Sequence, residues 1–176
     1  EPVLSRTLRA FENAACISKI VIVARACDFD AIQKSSAFVT KPLTITEGGK
    51  ERQDSVSNGA ALCGDAEYIA VHDAARPFIT PEEIETVCAD AEKYGTVCST
   101  PERSTLRAIQ TPQVFRLSLY KEALCLAKNA GKQYTDDCQL IEAAGGKVYL
   151  TPGDYKNIKI TTPEDLLVAE AFAVEK

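Results

Sequence analysis

Four short stretches of this chain hold the residue types that could do chemistry. The first is Ala70-Val71-His72-Asp73-Ala74-Ala75-Arg76-Pro77-Phe78. The apolar run Tyr68-Ile69-Ala70-Val71 reads as a buried strand, and His72 and Asp73 fall where it should end. In open α/β sheets ligands bind outside the carboxyl ends of strands. An Asp there can face a cation or a ribose, and small alanines let a ligand approach the backbone. Arg76 can offer a planar fork of donors to phosphate. The plainer reading is that Asp73 and Arg76 pair and cap a loop.

The second stretch is Gly48-Gly49-Lys50-Glu51-Arg52-Gln53-Asp54-Ser55-Val56. Two glycines after a strand admit a ligand to the backbone. A helix starting near Ser55 would offer free N–H groups to an anion or a base edge. An ordinary strand-to-helix turn capped by Ser55 is the alternative. The third is Arg103 with Gln110-Thr111-Pro112-Gln113, a polar, proline-stiffened segment that is costly to bury. It is expected at the surface, as a plain loop or against a ligand. The fourth is Lys159, in the predicted strand Asn157-Ile158-Lys159-Ile160-Thr161. It either snorkels from an edge strand or points its ammonium at a phosphate.

No serine or cysteine nucleophile with a base is legible, and His72 is the sole imidazole. A His-rich metal site is therefore excluded. The seven cysteines are odd in number and widely spaced, with no C-x-x-C. Most read as small buried residues in a reducing cytoplasm, with neither disulfide nor cysteine-bound metal expected. What remains is Arg, Lys, an Asp and helix N-termini around a cleft. That is the equipment of phosphoryl or nucleotidyl transfer, where catalysis is mostly positioning and charge neutralisation.

The elements that must position these residues alternate. Helices are predicted over 2–15, after Asp28 to Gln33, from Asp54 or Ser55 to Leu62, and from Thr80 to Tyr94. Thr80-Pro81-Glu82-Glu83 carries a cap, a first-turn Pro and a Glu three after the Thr, and Gly95 is the stop. Further helices are predicted at Leu117–Asn129, at Cys138–Ala144 behind Thr135-Asp136-Asp137, and from Thr162 to Val174. Strands are predicted at 19–24, 43–46, 68–72, 96–98, 147–150 and 157–160, with extended chain over 110–115. Strand–helix alternation argues for an α/β fold with a mostly parallel sheet covered on both faces.

With 176 residues the chain is large enough for one cored domain. Its 25 acidic and 20 basic residues give a net charge of −5, which disfavours a general nucleic-acid binder. No apolar run is long enough to span a membrane, and no signal peptide is visible.

Taken in order, these motifs resemble 2-C-methyl-D-erythritol 4-phosphate cytidylyltransferases. The resemblance runs through Gly48-Gly49, Arg52-Gln53-Asp54-Ser55-Val56 and Asn58-Gly59, then 71–78, then Gln110-Thr111-Pro112-Gln113-Val114-Phe115. Thr135-Asp136-Asp137 and 157–166 complete it, and it covers nearly the whole chain. It implies a Rossmann-like nucleotidyltransferase fold with a projecting dimerisation arm. It also implies Mg²⁺-assisted transfer of CMP from CTP to the phosphate of methylerythritol phosphate, with release of pyrophosphate. By this resemblance Gly48, Arg52 and Ser55 lie near the cytosine, Asp73 and Ala74 between ribose and substrate, and Arg76 near the substrate. Arg103 and Lys159 match the pair that holds the substrate phosphate for in-line attack, and Thr111 lines the same pocket. A homodimer is implied, with Arg103 serving the neighbour's site. The metal ligands stay unassigned.

Two departures stand out. The family begins with a strand and a glycine-rich loop, Ala-Ala-Gly-x-Gly-x-Arg, then a Lys, and this sequence starts after them. Between Cys98 and Ser99 the family carries a further segment with Asp-Thr-Ile-Lys. We expect both segments to be encoded, so that Cys98 and Ser99 are not joined. Two alternatives stay open: the sister enzyme acting on ribitol 5-phosphate, and a catalytically inactive nucleotide-binding homologue. Ala74 and Ala75 look more like the methylerythritol enzyme.

Overall fold

A computed structural model of the chain describes residues 1–100 and 108–174. Its first helix, α1 (Val3–Asn13), follows Pro2 and turns Leu8 and Phe11 inward against Ala14, Ile20 and Ile84. Strand β1 (Ile20–Ala24) pairs in parallel with β2 (Leu43–Glu47), Ile20 opposite Leu43 through to Ala24 opposite Glu47. Between them lies α2 (Phe29–Ser35), entered by a single 3-10 turn. Asp28 takes the N-cap position of α2 as expected from sequence, but its side chain makes no capping bond; its carboxylate is held by Arg25 at 2.8 Å.

Helix α3 (Arg52–Ala61) starts earlier than its sequence suggests. Glu51 is its cap, and Asp54 returns a bond to the Glu51 N–H, so neither Asp54 nor Ser55 is the first residue. Strand β3 (Tyr68–Val71) leads to α4 (Pro81–Tyr94). Here the sequence signals hold: Thr80 accepts from the Glu83 N–H, Glu83 reciprocates, and Gly95 ends the helix at φ 85°. That left-handed conformation suits a residue without Cβ.

The rest comprises β4 (Thr96–Thr100), β5 (Gln113–Arg116), α5 (Leu117–Asn129), α6 (Asp137–Ala143), β6 (Tyr149–Pro152) and α7 (Pro163–Val174). Leu117, Tyr120, Leu124 and Ala127 all point inward, as their spacing predicts. They meet Phe115, Cys138, Leu140 and Ile141 in the main core, where the Phe115 and Tyr120 rings stack at 5.2 Å.

The described strands form two sheets, β1-β2 and β3-β5-β4-β6. The second sheet is mixed, which corrects the expectation of a mostly parallel one. Strand β5 runs antiparallel to both β3 and β4, and only β4 and β6 are parallel there. A direct antiparallel return needs no crossover helix, so the helix–strand alternation that signals parallel pairing is lost at this point. Strand β4 runs beside β6 with Cys98 opposite Leu150 and Ser99 opposite Thr151. One further expectation fails. Residues 157–160 are a loop, because the Asn157 side chain turns inward to the Thr111 carbonyl at 2.9 Å instead of joining a ladder. Residues 101–107, with Arg103 and the expected arm, lie outside the described residues.

Every residue from Ile20 to Val23 and from Tyr68 to Val71 lines one cleft of about 410 Å³. Successive strand residues point to opposite faces, so a strand lining a cleft with all of them presents its edge. The two sheets thus face each other across this cleft, with Leu4, Leu8 and Phe11 of α1 and Gly59 and Ala60 of α3 on its walls.

Removing the Thr80 cap tests the start of α4. Thr80→Ala should cost about 1 kcal/mol, read as a lower urea midpoint with an unchanged slope.

Candidate active site

The site grows from the end of β3. The Asp73 N–H donates to Thr111 Oγ1 at 3.0 Å, and its carboxylate Oδ2 receives Lys159 Nζ at 3.1 Å and Arg76 Nε at 3.4 Å. Burial would raise the Asp73 carboxyl, but Lys159, Arg76 and Arg52 together hold it below the usual carboxylate range. Lys159 is 43% exposed and Arg76 only 12%. Lys159 is therefore the more solvent-accessible of the two cations on Asp73. Arg76 also donates from Nη1 to the Asn157 carbonyl at 2.8 Å.

The loops behind this centre are tied by polar groups. Ile160 N–H donates to the Ala75 carbonyl at 2.9 Å, and Gln110 Nε2 to the Asp154 carbonyl at 2.8 Å. Thr7 of α1 donates its hydroxyl to the Ala74 carbonyl at 2.8 Å. Segments 73–76, 110–111 and 154–160 are thus held as one platform, braced by α1.

A second cluster faces the first across the cleft. Gly48 and Gly49 follow β2 and lie against the first turn of α3. A Cβ on Gly48 would meet Ser55 Oγ at 2.9 Å, and one on Gly49 would meet the Asp54 Cβ at 2.2 Å. Close approach, and no unusual backbone angle, requires glycine here. Ser55 Oγ accepts the Gly49 N–H at 3.0 Å and donates to the Glu51 carbonyl at 3.1 Å. The Arg52 guanidinium is gripped by Asp137 Oδ2 at 2.6 Å, and the Tyr120 hydroxyl donates to Asp137 Oδ1 at 2.5 Å. Burial and the Asp137 charge together push the Tyr120 phenol well above its ordinary range.

The structure brings Arg52, Ser55, Asp73 and Ala74 to one cleft, whereas Gly48 and Arg76 are not among the residues that line it. Lys159 reaches the same centre through Asp73. The plain reading of Asp73 and Arg76 as a pair is half right, since Lys159 makes it a trio. The expectation for Gln110-Thr111-Pro112-Gln113 is corrected: it is neither surface loop nor open wall. Gln110, Thr111 and Gln113 are all buried, and each side chain finds a partner: the Asp154 carbonyl, the His72 ring and the Asp136 carboxylate respectively. Thr111 is 5% exposed, so it supports the pocket from behind. Three contributors escape sequence reasoning: Asp137 as the anchor of Arg52, Asn157 as the buried clamp on Thr111 and Arg76, and the His72 ring. The doublet Asp136-Asp137 holds a signal, since one carboxylate suffices to cap α6 and Asp136 does so.

The described residues do not build a resident metal site. No group of three or more His, Cys, Asp or Glu side chains suited to a metal occurs among the described residues. The cleft carboxylate Asp73 already carries two cations, which would repel a third.

A strand-end carboxylate between Lys and Arg, with a helix start on the same cleft, suits the charge neutralisation and positioning that enzymes of the nucleotidyltransferase class need. Comparison narrows this. The sequence matches the profile of 2-C-methyl-D-erythritol 4-phosphate cytidylyltransferase over residues 1–97 and 89–175. A relative of that name from Bacillus cereus is 41% identical over 192 aligned positions, covering 97% of this chain and 84% of its own. One from Clostridium perfringens is 38% identical over 193 positions, covering 98% and 86%. The crystal structure of 4-diphosphocytidyl-2C-methyl-D-erythritol synthase from Anaerococcus prevotii superposes with a TM-score of 0.93 at 27% identity, covering 98% of this chain and 86% of that one. A Thermus thermophilus 2-C-methyl-D-erythritol 4-phosphate cytidylyltransferase gives 0.81 at 30% identity, covering 98% and 89%. The chain belongs to the 2-C-methyl-D-erythritol 4-phosphate cytidylyltransferase family.

The His72 ring yields a prediction. Burial pushes its imidazole from 6.5 down to about 4. Between those values the unfolded chain holds a proton that the folded one does not. Stability is therefore full above 6.5 and falls on acidification towards 4, by up to about 3 kcal/mol from this group. Urea denaturation of the wild type and of His72→Phe at pH 7 and at about pH 5 should show a steeper loss for the wild type.

Proposed function

We propose that this protein transfers CMP from CTP to 2-C-methyl-D-erythritol 4-phosphate, releasing pyrophosphate and forming 4-diphosphocytidyl-2-C-methyl-D-erythritol, a step of non-mevalonate isoprenoid biosynthesis. The observation that carries this reading is Lys159, an exposed ammonium parked on a strand-end Asp73 beside the fixed Arg76. In the reaction an oxygen of the substrate phosphate bonds to the α-phosphorus of CTP. The bond from that phosphorus to the bridging oxygen breaks, and pyrophosphate leaves with the electron pair. The protein has little covalent work; it must hold two anions together and in line. Lys159 supplies that charge by exchanging Asp73 for the substrate phosphate, with Arg76 alongside. Asp73, released, is placed to accept from a hydroxyl of ribose or polyol. Ala74 leaves room for that approach, and Gly48, Arg52 and Ser55 face the base. Any Mg²⁺ in this cleft is carried by the nucleotide phosphates, consistent with the usual preference of that ion for one or two carboxylates plus substrate oxygens.

The choice of methylerythritol phosphate over ribitol 5-phosphate rests on the names of the relatives. The decisive assay supplies CTP with each polyol phosphate and follows pyrophosphate. Release with methylerythritol phosphate is expected. Preference for ribitol 5-phosphate supports the sister activity, and release with neither supports an inactive nucleotide-binding homologue. Lys159→Ala should lower polyol-phosphate use by at least tenfold, from loss of a charge-assisted contact of about 1.5–3 kcal/mol, with CTP affinity nearly intact by calorimetry. An equal fall in CTP affinity would refute this division of labour.

Arg103 joins the proposal by resemblance. We place it at a neighbour's site in a cytoplasmic homodimer, while Lys159 serves its own. The alignment with the Bacillus cereus relative spans 192 positions against 176 residues here, so that relative has at least 16 extra positions inside the match. The two profile matches meet over 89–97, next to β4 and the segment of Arg103. If the site is shared, equal mixtures of Arg103→Ala and Lys159→Ala protomers should recover about a quarter of wild-type activity, since half the dimers are mixed and each holds one intact site. No recovery, with subunit exchange confirmed, would mean that both residues come from one chain.

A further inference from the structure

The His72 ring is unused by the chemistry above, yet it bridges both ends of the turn that carries Asp73. Its Nδ1 lies 3.0 Å from Thr111 Oγ1 and its Nε2 lies 3.4 Å from the Arg76 carbonyl oxygen. The Phe11 ring of α1 packs on it at 4.9 Å between centroids. The turn itself closes with Arg76 N–H donating to the Asp73 carbonyl at 3.0 Å.

Proton bookkeeping gives this chain one direction. A carbonyl oxygen has no proton to give, so the hydrogen between His72 and Arg76 sits on Nε2. Nδ1 of the neutral ring is then a bare acceptor, and the Thr111 hydroxyl donates to it. Thr111 Oγ1 thereby keeps its lone pairs for the Asp73 N–H, which it accepts at 3.0 Å. With its proton committed to His72, Thr111 has no donor left for a ligand. The Thr111 carbonyl is separately held by Asn157 Nδ2 at 2.9 Å, which fixes the residue from its other side.

We infer that His72 is a positioning residue: as the neutral Nε2–H tautomer it orients the Thr111 hydroxyl, which in turn pins the backbone of Asp73. Both ring nitrogens are taken up by Thr111 and the Arg76 carbonyl, so the imidazole has no hydrogen bond to offer a reacting group. It acts by holding the strand-end carboxylate where Lys159 and Arg76 reach it. The functional part rests on the reading of Asp73 given above; the relay itself stands on the hydrogen bonds alone. Neutrality of the ring, favoured by its burial, keeps the Nδ1 lone pair available.

The chain has a single histidine, so ¹⁵N NMR of the imidazole reports His72 without assignment. The wild type should show a fixed Nε2–H tautomer at neutral pH, and Thr111→Val should move the Nδ1 resonance by removing its donor. An Nδ1–H tautomer would overturn the relay. In steady-state kinetics His72→Phe and Thr111→Val should each lower kcat/KM about tenfold, as for one buried hydrogen bond made to count in the transition state. The double variant should be no worse than the weaker single one, because both cut one chain. Thr111→Ser should restore activity, and so in part should His72→Asn, whose carboxamide oxygen can stand in for Nδ1. A folded His72→Phe protein with wild-type kcat/KM, or losses that multiply in the double variant, would overturn the positioning role. If the wild type transfers no CMP, the functional reading fails while the tautomer measurement still judges the relay.

Discussion

A carboxylate shared by two cations governs how this molecule is assembled. Asp73 sits 20% exposed at the end of a strand, where an unpaired charge would be costly. Arg76 and Lys159 meet that cost, and each must be delivered from a different segment. Arg76 comes from the same tight turn, but Lys159 comes from a loop more than eighty residues later, with no ladder to hold it. That loop is instead fixed by Asn157, whose side chain and carbonyl reach Thr111 and Arg76. The requirement to place one ammonium beside one carboxylate thus explains a buried Asn, a buried Thr and an inward-turned loop where alternating residues suggest a strand.

The opposite wall solves a similar problem. Arg52 is drawn towards Asp137, which also receives the Tyr120 hydroxyl from the core. Asp137 is almost wholly buried, so its charge is tolerated only because the guanidinium and the phenol both serve it. This fixes the direction of Arg52 before any ligand arrives. Gly48 and Gly49 let the turn after β2 lie close on the first turn of α3. The two clusters differ in their partners: Arg52 meets an almost wholly buried carboxylate, whereas Lys159 shares the less buried Asp73 with Arg76.

Local chemistry was the most legible part of the sequence. The Thr80-Pro81-Glu82-Glu83 start, the Gly95 stop and the inward stripe of α5 rest on neighbours within a few residues, and the structure follows them. The cleft residues were legible because Asp, Arg, Lys and paired glycines at strand ends and helix starts have few other uses. Long-range pairing was not. Nothing within Gln113-Val114-Phe115-Arg116 says that β5 will run antiparallel to both neighbours. Nor does Asn157 announce that it will abandon a strand for a buried carbonyl forty-six residues away. The polar stretch around Thr111 misled because its partners, His72 and Asp136, lie in other segments, and without them burial of so many polar groups looks unaffordable.

The cleft between the sheets has a property that its apolar lining conceals. β1 pairs only with β2, and β3 only with β5, among the described strands. Each therefore turns a row of backbone N–H and C=O groups towards the other across the same gap. Such a gap is greasy in its side chains and hungry for hydrogen bonds in its main chain, the combination that lets an extended segment zip in from both sides. A strand seated there would pair with β1 on one side and β3 on the other, and would join the two sheets into one.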